Sequence, residues 1–291
     1  LHGGSDNDAQ AVRSLRVPRT IIGVLAGVAL AVAGTVMQGI TRNPIAEPGI
    51  LGVSQGASVG VVCAIAFLGV HTLTGYVWFA LAGAALAALA AYAVASSGRG
   101  GASPVKLALA GAAMNAFLAS IVSGISAVDA RMLDEFRFWQ VGSISGRGSE
   151  VIGQIWPFVL AGLVLVAVVA RGLDALALGD DAARGLGYKV GSLRLLGALG
   201  ATVLTGASVA AAGPIAFTGL AVPHVARALV GTAHRWVLPL AALLGPVLIL
   251  GSDVLGRVLF PPSEVPVAVM TALIGVPFLI ALVRRRTVVA A

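Results

Sequence analysis

Three arginines and one aspartate stand at the ends of apolar segments, where their charges can pair with other groups. Arg16 and Arg19 precede the first uncharged segment, and Arg257 follows a later one with Asp253 four residues before it. A guanidinium binds a carboxylate through two parallel hydrogen bonds, although arginines at such positions also extend to lipid phosphates. The four-residue spacing predicts an ion pair between Asp253 and Arg257 on one helix face. A role of Asp253 in a transport path is the alternative, because ionisable residues within membranes are often functional.

The other residue types that carry chemistry form no catalytic or metal-binding pattern. Cys63 is the only cysteine, which excludes an internal disulfide and a cysteine-cluster metal site. None of the four histidines has metal-ligand spacing to another, and we expect His224 to make a structural hydrogen bond. The sequence has no G-x-x-x-x-G-K-[ST] phosphate loop, so any ATP-driven step requires a partner. We therefore predict no catalytic residue, no metal ligand and no cofactor in this chain.

The composition indicates that membrane-spanning helices position these charges. Of 291 residues, 58% are hydrophobic and 11% are charged, whereas soluble domains carry about 25% charged residues. Uncharged runs of about 20 residues, the length of a helical span, recur without the alternation of a transmembrane β-barrel. The net charge of +7 comes from basic residues between spans and not from a nucleic-acid-binding patch. The sequence predicts an all-α polytopic membrane protein.

Nine membrane-spanning helices are predicted from the charge-free intervals. Residues 48–98 hold two spans joined near residues 71–76, and residues 195–226 hold one span and a shorter helix, separated at Gly213-Pro214. An odd number puts the termini on opposite sides, and the distribution of arginine and lysine favours a cytoplasmic C-terminus. Because the first residue is leucine, we expect a further span or a cleaved signal peptide upstream. The single spans are residues 20–39, 107–128, 151–170, 237–256 and 265–283.

The segment "TRNPIAEPGILGVSQGASVG", residues 41–60, joins the first two spans. Proline disfavours helix at the preceding residue, so Asn43-Pro44 and Pro48-Gly49 are expected to end one helix and begin the next. The predicted orientation places Arg42 and Glu47 near the cytoplasmic face. Glycines at three- and four-residue spacing predict a smooth face for close helix packing; they are Gly49, Gly52, Gly56 and Gly60.

Seven segments, in this order along the chain, resemble the FecCD-type permeases, the membrane subunits of bacterial ABC importers for ferric siderophores, haem and cobalamin. The segments are "LRVPRT", "AGTVMQGITRNPIAEPGILGVSQGASVG", "FWQVGS", "LALGDDAARGLG", "AAAGPIAFTGLAVPHVARALVG", "HRWVLPLAALLG" and "SEVPVAVMTALIGVPFLIALV". The resemblance implies one permease domain over residues 1–291, with the ten-helix inverted-repeat fold of a type II ABC importer. On this resemblance nine of the ten helices are expected here, and the first is expected to be the one that is absent from this sequence. "AGTVMQGITRNPIAEPG" and "AGPIAFTGLAVPHVARA" resemble the two matching break points, and such repeats place the transport path at their interface.

The resemblance also implies partners: a second permease copy in a homodimer or heterodimer, two ATP-binding subunits and an external substrate-binding protein. Arg16, Arg19 and Arg257 match arginines that receive glutamates of the binding protein. Residues 171–193 match a cytoplasmic coupling loop of two short helices, and a solvated charged loop is the alternative. The residues themselves indicate that Gly179 can end one short helix and that Asp180 can cap the next. The residues expected to transmit ATP-driven motion are Leu176, Leu178, Asp180, Ala182, Arg184, Leu186 and Tyr188.

Two further segments match parts of the transport path. The short loop at residues 98–106 matches a cytoplasmic gate, although its proline departs from the small hydroxyl residues expected there, and a plain turn is the alternative. The gate residues are Ser103, Pro104 and Val105. The loop at residues 129–148 matches a short helix that shapes the external vestibule, and an interfacial aromatic belt is the alternative. Its aromatic residues are Phe136, Phe138 and Trp139.

We therefore predict a permease subunit of a bacterial cell-membrane importer that moves a ferric siderophore. ATP and Mg²⁺ would bind to the partner ATPase. The W-x-x-G-S pattern at residues 139–143 resembles ferric-siderophore permeases more than cobalamin permeases, and cobalamin or haem remains the alternative cargo. A different class, an ion-coupled secondary transporter, would need carboxylates within the membrane, and only Asp253 approaches this requirement.

Overall fold

The computed structural model describes residues 10, 12–97, 103–127, 130–259, 261 and 263–289, and α-helices dominate this part of the chain. A π-helical turn, Val12–Arg16, leads into α1, and a short 3-10 helix, Pro48–Leu51, precedes α2. The α-helices are α1 (Val17–Thr41), α2 (Val53–Leu68), α3 (Leu73–Ser96), α4 (Pro104–Ser126), α5 (Ala130–Gln140), α6 (Ser149–Ala177), α7 (Asp180–Gly185), α8 (Val190–Ala212), α9 (Thr218–Val230), α10 (His234–Val258) and α11 (Val267–Val289).

The long helices lie where the uncharged intervals predict them. Within the described residues, six helices are long and apolar enough to cross a membrane: α1 with its preceding turn, α3, α4, α6, α8 and α10. The apolar helix α2 and the apolar part of α11, Val267–Phe278, are shorter. The break predicted at Gly213-Pro214 separates α8 from the short helix α9.

Helix α1 lies at the centre of the bundle and contacts α6, α8, α9 and α10. Glycines permit these close approaches, because a Cβ atom on Gly34 would overlap the backbone of Gly219 in α9. Gly27 meets the backbone of Gly245 and Pro246 in α10 in the same way. Hydrophobic burial does not drive helices together in lipid. Small residues such as these allow the close van der Waals contact that holds the helices together instead.

The predicted glycine face in residues 41–60 is confirmed for Gly56 and Gly60, at the contact between α2 and α3, whereas Gly49 and Gly52 precede α2. A Cβ atom on Gly56 would collide with the carbonyl oxygen of Gly83, and one on Gly60 with the carbonyl oxygen of Phe79. The two backbones therefore pack directly on each other. Glycine spacing in the sequence identified the correct face of α2.

Contacts between α1 and α10 define the two ends of the bundle. Arg19 at the start of α1 contacts Asp253 near the end of α10, whereas Gly39 near the end of α1 lies beside His234 at the start of α10. The two helices are therefore antiparallel. The end with Arg16, Arg19 and Arg257 is called the arginine end, and the opposite end, which carries α7, is called the α7 end.

Candidate functional sites

The three predicted docking arginines line one cavity at the arginine end. Its volume is about 700 Å³, and Arg16, Arg19 and Arg257 all border it, together with Asp253 and Glu264. These residues come from the π-helical turn, the start of α1, the end of α10 and the segment before α11. The fold thus assembles a charged depression from residues that are distant in sequence.

Arg19 is held inside this cavity by two carboxylates. Its Nε donates to both carboxylate oxygens of Asp253 at 3.1 and 3.0 Å, and its Nη2 donates to Asp253 Oδ1 at 2.7 Å. Its Nη1 lies 2.9 Å from Glu264 Oε2 and 3.2 Å from the hydroxyl of Ser145. The pair predicted between Asp253 and Arg257 is present, but Nε of Arg257 is 3.4 Å from Oδ2 of Asp253. Arg19 is therefore the closer partner of Asp253.

The other two arginines at this end retain hydrogen-bond donors for an external group. Arg16 is exposed, and its guanidinium makes no ion pair with any residue that the structure describes. Arg257 contacts Asp253 through Nε, and the side chain of Arg257 is partly exposed. Three arginines face two carboxylates in the cavity, so its local charge is positive and suits an acidic partner.

Arg147 is a buried guanidinium in the loop between α5 and α6. Only 5% of its surface is exposed, and its Nε donates to the carbonyl oxygen of Ser143 at 3.4 Å. No carboxylate of the described residues forms an ion pair with it. Burial lowers the pKa of Arg147 to about 10, because the charged form loses water without gaining a counter-charge.

At the α7 end, the coupling segment differs from the prediction of two short helices. Helix α6 continues through residues 171–177, which contain no proline to interrupt it, so α7 is the one short helix in the segment. Gly179 separates α6 from α7 with φ of +109°, a conformation that residues with a side chain rarely adopt. The predicted cap at Asp180 was wrong, because Gly179 holds the cap position and α7 has no side-chain cap.

Asp180 instead joins α7 to two other parts of the chain. Its Oδ1 lies 3.0 Å from Nη2 of Arg42, just after α1, and 2.8 Å from Nη2 of Arg194 in α8. Arg194 is buried, whereas Arg42 is partly exposed. The sequence did not indicate either arginine as a partner of Asp180. Arg42 lies far from Asp180 along the chain, and Arg194 faces inward at a spacing from Asp180 that does not indicate a contact.

Apart from Asp180, which is partly exposed, the predicted coupling residues divide into an exposed and a buried group. Leu178 and Leu186 are 70% and 61% exposed, large values for leucines flanking a helix. Ala182 and Arg184 are also exposed, and Arg184 forms an ion pair with Asp181 at 2.7 Å. The buried group differs: Leu176 lies within the core, and Tyr188 packs half-buried against it. A partner can therefore contact only the exposed members directly.

The two predicted break points touch each other at equivalent residues. "NPIAEPG" (43–49) and "GPIAFTG" (213–219) have proline, isoleucine, alanine and glycine at the same four positions, and Glu47 corresponds to Phe217. The backbone N–H of Phe217 donates to Glu47 Oε1 at 3.2 Å. Gln38 adds a second link, because its side-chain amide donates to the carbonyl oxygen of Gly219 at 3.3 Å. The sequence identified the matching segments but gave no sign that they touch.

The predicted gate residues form the start of α4. The hydroxyl of Ser103 accepts a hydrogen bond from the backbone N–H of Lys106 at 3.4 Å, and Pro104 is the first helical residue. Both features are typical of a helix N-terminus. Val105 is exposed. Residues 98–102 of the same loop lie outside the described part of the chain.

The two aromatic side chains of α5 that the structure describes are buried and do not form an interfacial belt. Phe136 and Trp139 are each 1% exposed, and their rings stack with centroids 6.1 Å apart. These rings therefore hold α5 against the bundle. The side chain of Phe138 lies outside the described residues.

The described histidines make hydrogen bonds within the protein. Nδ1 of His224 lies 2.9 Å from the carbonyl oxygen of Leu220, which confirms the predicted structural hydrogen bond. Nδ1 of His234 lies 2.7 Å from Oδ1 of Asp174 and links the start of α10 to α6.

Comparison with known proteins identifies one family over nearly the whole chain. The family model described as the FecCD transport family matches residues 1–285. The ferric enterobactin transport system permease protein FepD of Escherichia coli (strain K12) is 44% identical over 281 residues, which cover 96% of this chain and 84% of FepD. The hemin transport system permease protein HmuU of Yersinia pestis is 37% identical over 291 aligned residues, which cover 98% of this chain and 87% of HmuU.

A solved structure has the same fold. An inward-facing conformation of a metal-chelate type ABC transporter superimposes with a TM-score of 0.88 at 28% identity, and the match covers 98% of this chain and 91% of the other. The chain is therefore an integral membrane protein of the FecCD transport family, a transport subunit and not an enzyme.

Proposed function

We propose that this chain is the permease subunit of an ABC importer that moves a ferric siderophore across the bacterial cell membrane. The match to the FecCD transport family over residues 1–285 is the observation that carries this proposal. FepD, named for ferric enterobactin, supports the siderophore as cargo. HmuU, named for hemin, keeps haem as the alternative, and cobalamin is a further one.

The proposed topology has nine spans in this sequence, out of ten in the complete fold, with a cytoplasmic C-terminus. Helices at all nine predicted positions support this arrangement, including the shorter α2, α9 and α11. The arginine end then faces the outside, and the α7 end faces the cytoplasm. We propose that a second permease copy, identical or homologous, completes the transport path.

An external binding protein docks on the arginine end in this proposal. Arg16 and Arg257 receive its carboxylates, because Arg16 is exposed in the cavity and Arg257 contacts Asp253 through Nε alone. Arg19 instead holds α1, α10 and Glu264 together and so fixes the shape of the docking cavity. Bidentate guanidinium–carboxylate pairs would set the orientation of the docked protein.

Two partner ATPase subunits bind ATP and Mg²⁺ and act on the α7 end. The exposed residues Leu178, Ala182, Arg184 and Leu186 form the surface that we assign to ATPase contact. Apolar leucines at this surface lose water on contact with the partner, which favours binding. No cofactor within this chain takes part.

The transport path lies between the two permease copies and opens alternately to each side. The start of α4, with Ser103, Pro104 and Val105, borders the cytoplasmic gate in this proposal. Helix α5 covers the external vestibule, while Phe136 and Trp139 anchor it from within the bundle. Movement of α7 during ATP hydrolysis changes the relative position of the helices and exposes the path to the cytoplasm.

The secondary-transporter alternative is less well supported by the site geometry. It requires a carboxylate in the membrane that can bind a coupling ion. Asp253, the candidate for that role, makes three hydrogen bonds to Arg19 and is therefore occupied.

Uptake into proteoliposomes tests the proposed cargo. The permease is reconstituted with its ATPase and binding protein, and ⁵⁵Fe-siderophore, haem and cobalamin are supplied separately with ATP. The proposal predicts ATP-dependent accumulation of the ferric siderophore above the other two. Accumulation of haem or cobalamin alone would identify that compound, and not the siderophore, as the cargo. Absence of ATP-dependent uptake for all three compounds would contradict the proposed function.

A further inference from the structure

A polar connection begins where α7 meets the end of α1. Asp180, the first residue of α7, shares one carboxylate oxygen between Arg42 and Arg194. Arg194 belongs to α8, so that contact fixes α7 to the bundle. Arg42 is the first residue after α1, so the other contact leads into the segment between α1 and α2. Asp181, the next residue, points outward to Arg184 and joins neither.

The residues that follow Arg42 form a compact turn. Arg42 has a left-handed backbone with φ of +50°, which is uncommon for a residue other than glycine. The backbone N–H of Asn43 donates to the carbonyl oxygen of Gln38 at 3.2 Å, and that of Ala46 donates to the carbonyl oxygen of Asn43 at 3.1 Å. The side chain of Asn43 accepts a further hydrogen bond from Ile45 at 3.1 Å. Because these bonds hold the turn together, a displacement of Arg42 would move the turn as a unit.

The far end of this turn contacts the start of α9. Glu47 accepts the backbone N–H of Phe217, the residue that precedes α9. A carboxylate at the N-terminal end of a helix also interacts favourably with the helix dipole. The ring of Pro48 lies against Gly219, where a Cβ atom would be 2.8 Å from Pro48 Cδ. Phe217 in turn packs on Gly275 of α11.

We propose that Asp180 is a positioning residue that transmits movement of α7 to the start of α9 through residues 42–49, the relay segment. The inference rests on the proposed function, because the movement originates in the partner ATPase. It assigns Asp180 an inward role, distinct from the exposed residues that contact the ATPase. It also gives a mechanical role to the ion pair with Arg42, since that contact links α7 to the relay segment.

The ratio of siderophore uptake to ATP hydrolysis in the reconstituted complex tests this inference. Arg42→Gln removes the link to the relay segment and leaves the ion pair between Asp180 and Arg194 in place. We expect uptake per ATP to fall about fivefold, the lower range for loss of coupling between two sites. Asp180→Asn is expected to have at least the same effect. Arg235→Gln, which replaces an exposed arginine at the start of α10 and outside the coupling segment, is the matched control and keeps the wild-type ratio.

The double variant gives a sharper result, because residues that act through one contact are not additive. Arg42→Gln combined with Asp180→Asn is expected to lower uptake per ATP no further than Asp180→Asn alone. A wild-type ratio in Arg42→Gln, or multiplicative losses in the double variant, would overturn the relay. Failure of the wild-type complex to couple ATP hydrolysis to uptake would instead contradict the proposed function, so the two failures are distinguishable.

Discussion

Arg19 of α1 and Asp253 of α10 form a two-point ion pair that joins these helices at the arginine end of the bundle. Three donor–acceptor distances between 2.7 and 3.1 Å define it. Both side chains are largely buried, so neither charge can recover its hydration without separating the helices. The pair therefore stabilises the docking cavity from inside, while Arg16 and Arg257 remain at its surface.

Replacement of Asp253 tests this structural role. Asp253→Asn removes the negative charge and, among the described residues, leaves Arg19 with the exposed Glu264 as its counter-charge. We expect a loss of about 3 kcal/mol in folding free energy, the lower range for a broken buried ion pair. The measurement is the thermal unfolding midpoint in detergent. Glu264→Gln is the matched control and should cost less than about 1 kcal/mol, since its pair is exposed. Equal midpoints for the two variants would contradict the assignment.

Charge reversal at the two surface arginines tests docking without replacing Arg19 or Asp253. Arg16→Glu combined with Arg257→Glu should abolish the stimulation of ATP hydrolysis by the binding protein and leave basal hydrolysis unchanged. The reason is that like charges across an interface repel and lower the association rate. Arg13→Glu, which lies in the same turn but outside the cavity, serves as the control with a smaller effect. Full stimulation in the double variant would contradict docking on these arginines and would favour the alternative that they contact lipid.

The contact between α1 and α9 predicts which glycines tolerate a side chain. Gly34→Ala places a Cβ atom against the backbone of Gly219, and overpacking of this kind costs about 1–3 kcal/mol. Gly124→Ala in α4 has open space around its Cβ position and should be neutral or stabilising, because alanine favours helix. Thermal unfolding of both variants in detergent separates the two cases. A stable Gly34→Ala variant would show that the helices can move apart at little cost.

Two buried arginines, Arg147 in the loop between α5 and α6 and Arg194 at the α7 end, should respond differently to removal of charge. Burial lowers the pKa of Arg147 to about 10, and no described carboxylate compensates its charge. Arg147→Met should therefore leave the unfolding midpoint unchanged or raise it, because a well-packed apolar side chain avoids the desolvation cost. Arg194→Met breaks the pair with Asp180 and should lower the midpoint. A comparable loss in both variants would mean that Arg147 has a stabilising partner.

The helices and their close contacts were predictable because they depend on local pattern. Uncharged runs of about 20 residues can satisfy their backbone groups in lipid only as helices, which fixes their type and approximate bounds. The glycines of residues 41–60 predicted a packing face, and Gly56 and Gly60 lie on it. The break at Gly213-Pro214 was predictable for the same local reason.

The partners of the charged residues were not predictable, because they depend on how distant helices are rotated and placed. Local spacing pointed to Arg257 as the partner of Asp253, whereas Arg19, 234 residues away, makes the shorter contacts. Asp180 was expected to cap α7 and instead binds Arg42 and Arg194. The resemblance of the two break points indicated a repeat, but only the folded chain shows that Glu47 and Phe217 meet.

The source of energy for uptake tests the central claim most directly. Accumulation of ⁵⁵Fe-siderophore is measured in proteoliposomes that contain the permease, its binding protein and either the active ATPase or a hydrolysis-deficient variant, with and without ionophores that collapse ion gradients. We predict that uptake stops with the hydrolysis-deficient ATPase and continues with ionophores present. Uptake that persists without hydrolysis but stops when the gradients collapse would contradict an ATP-driven importer.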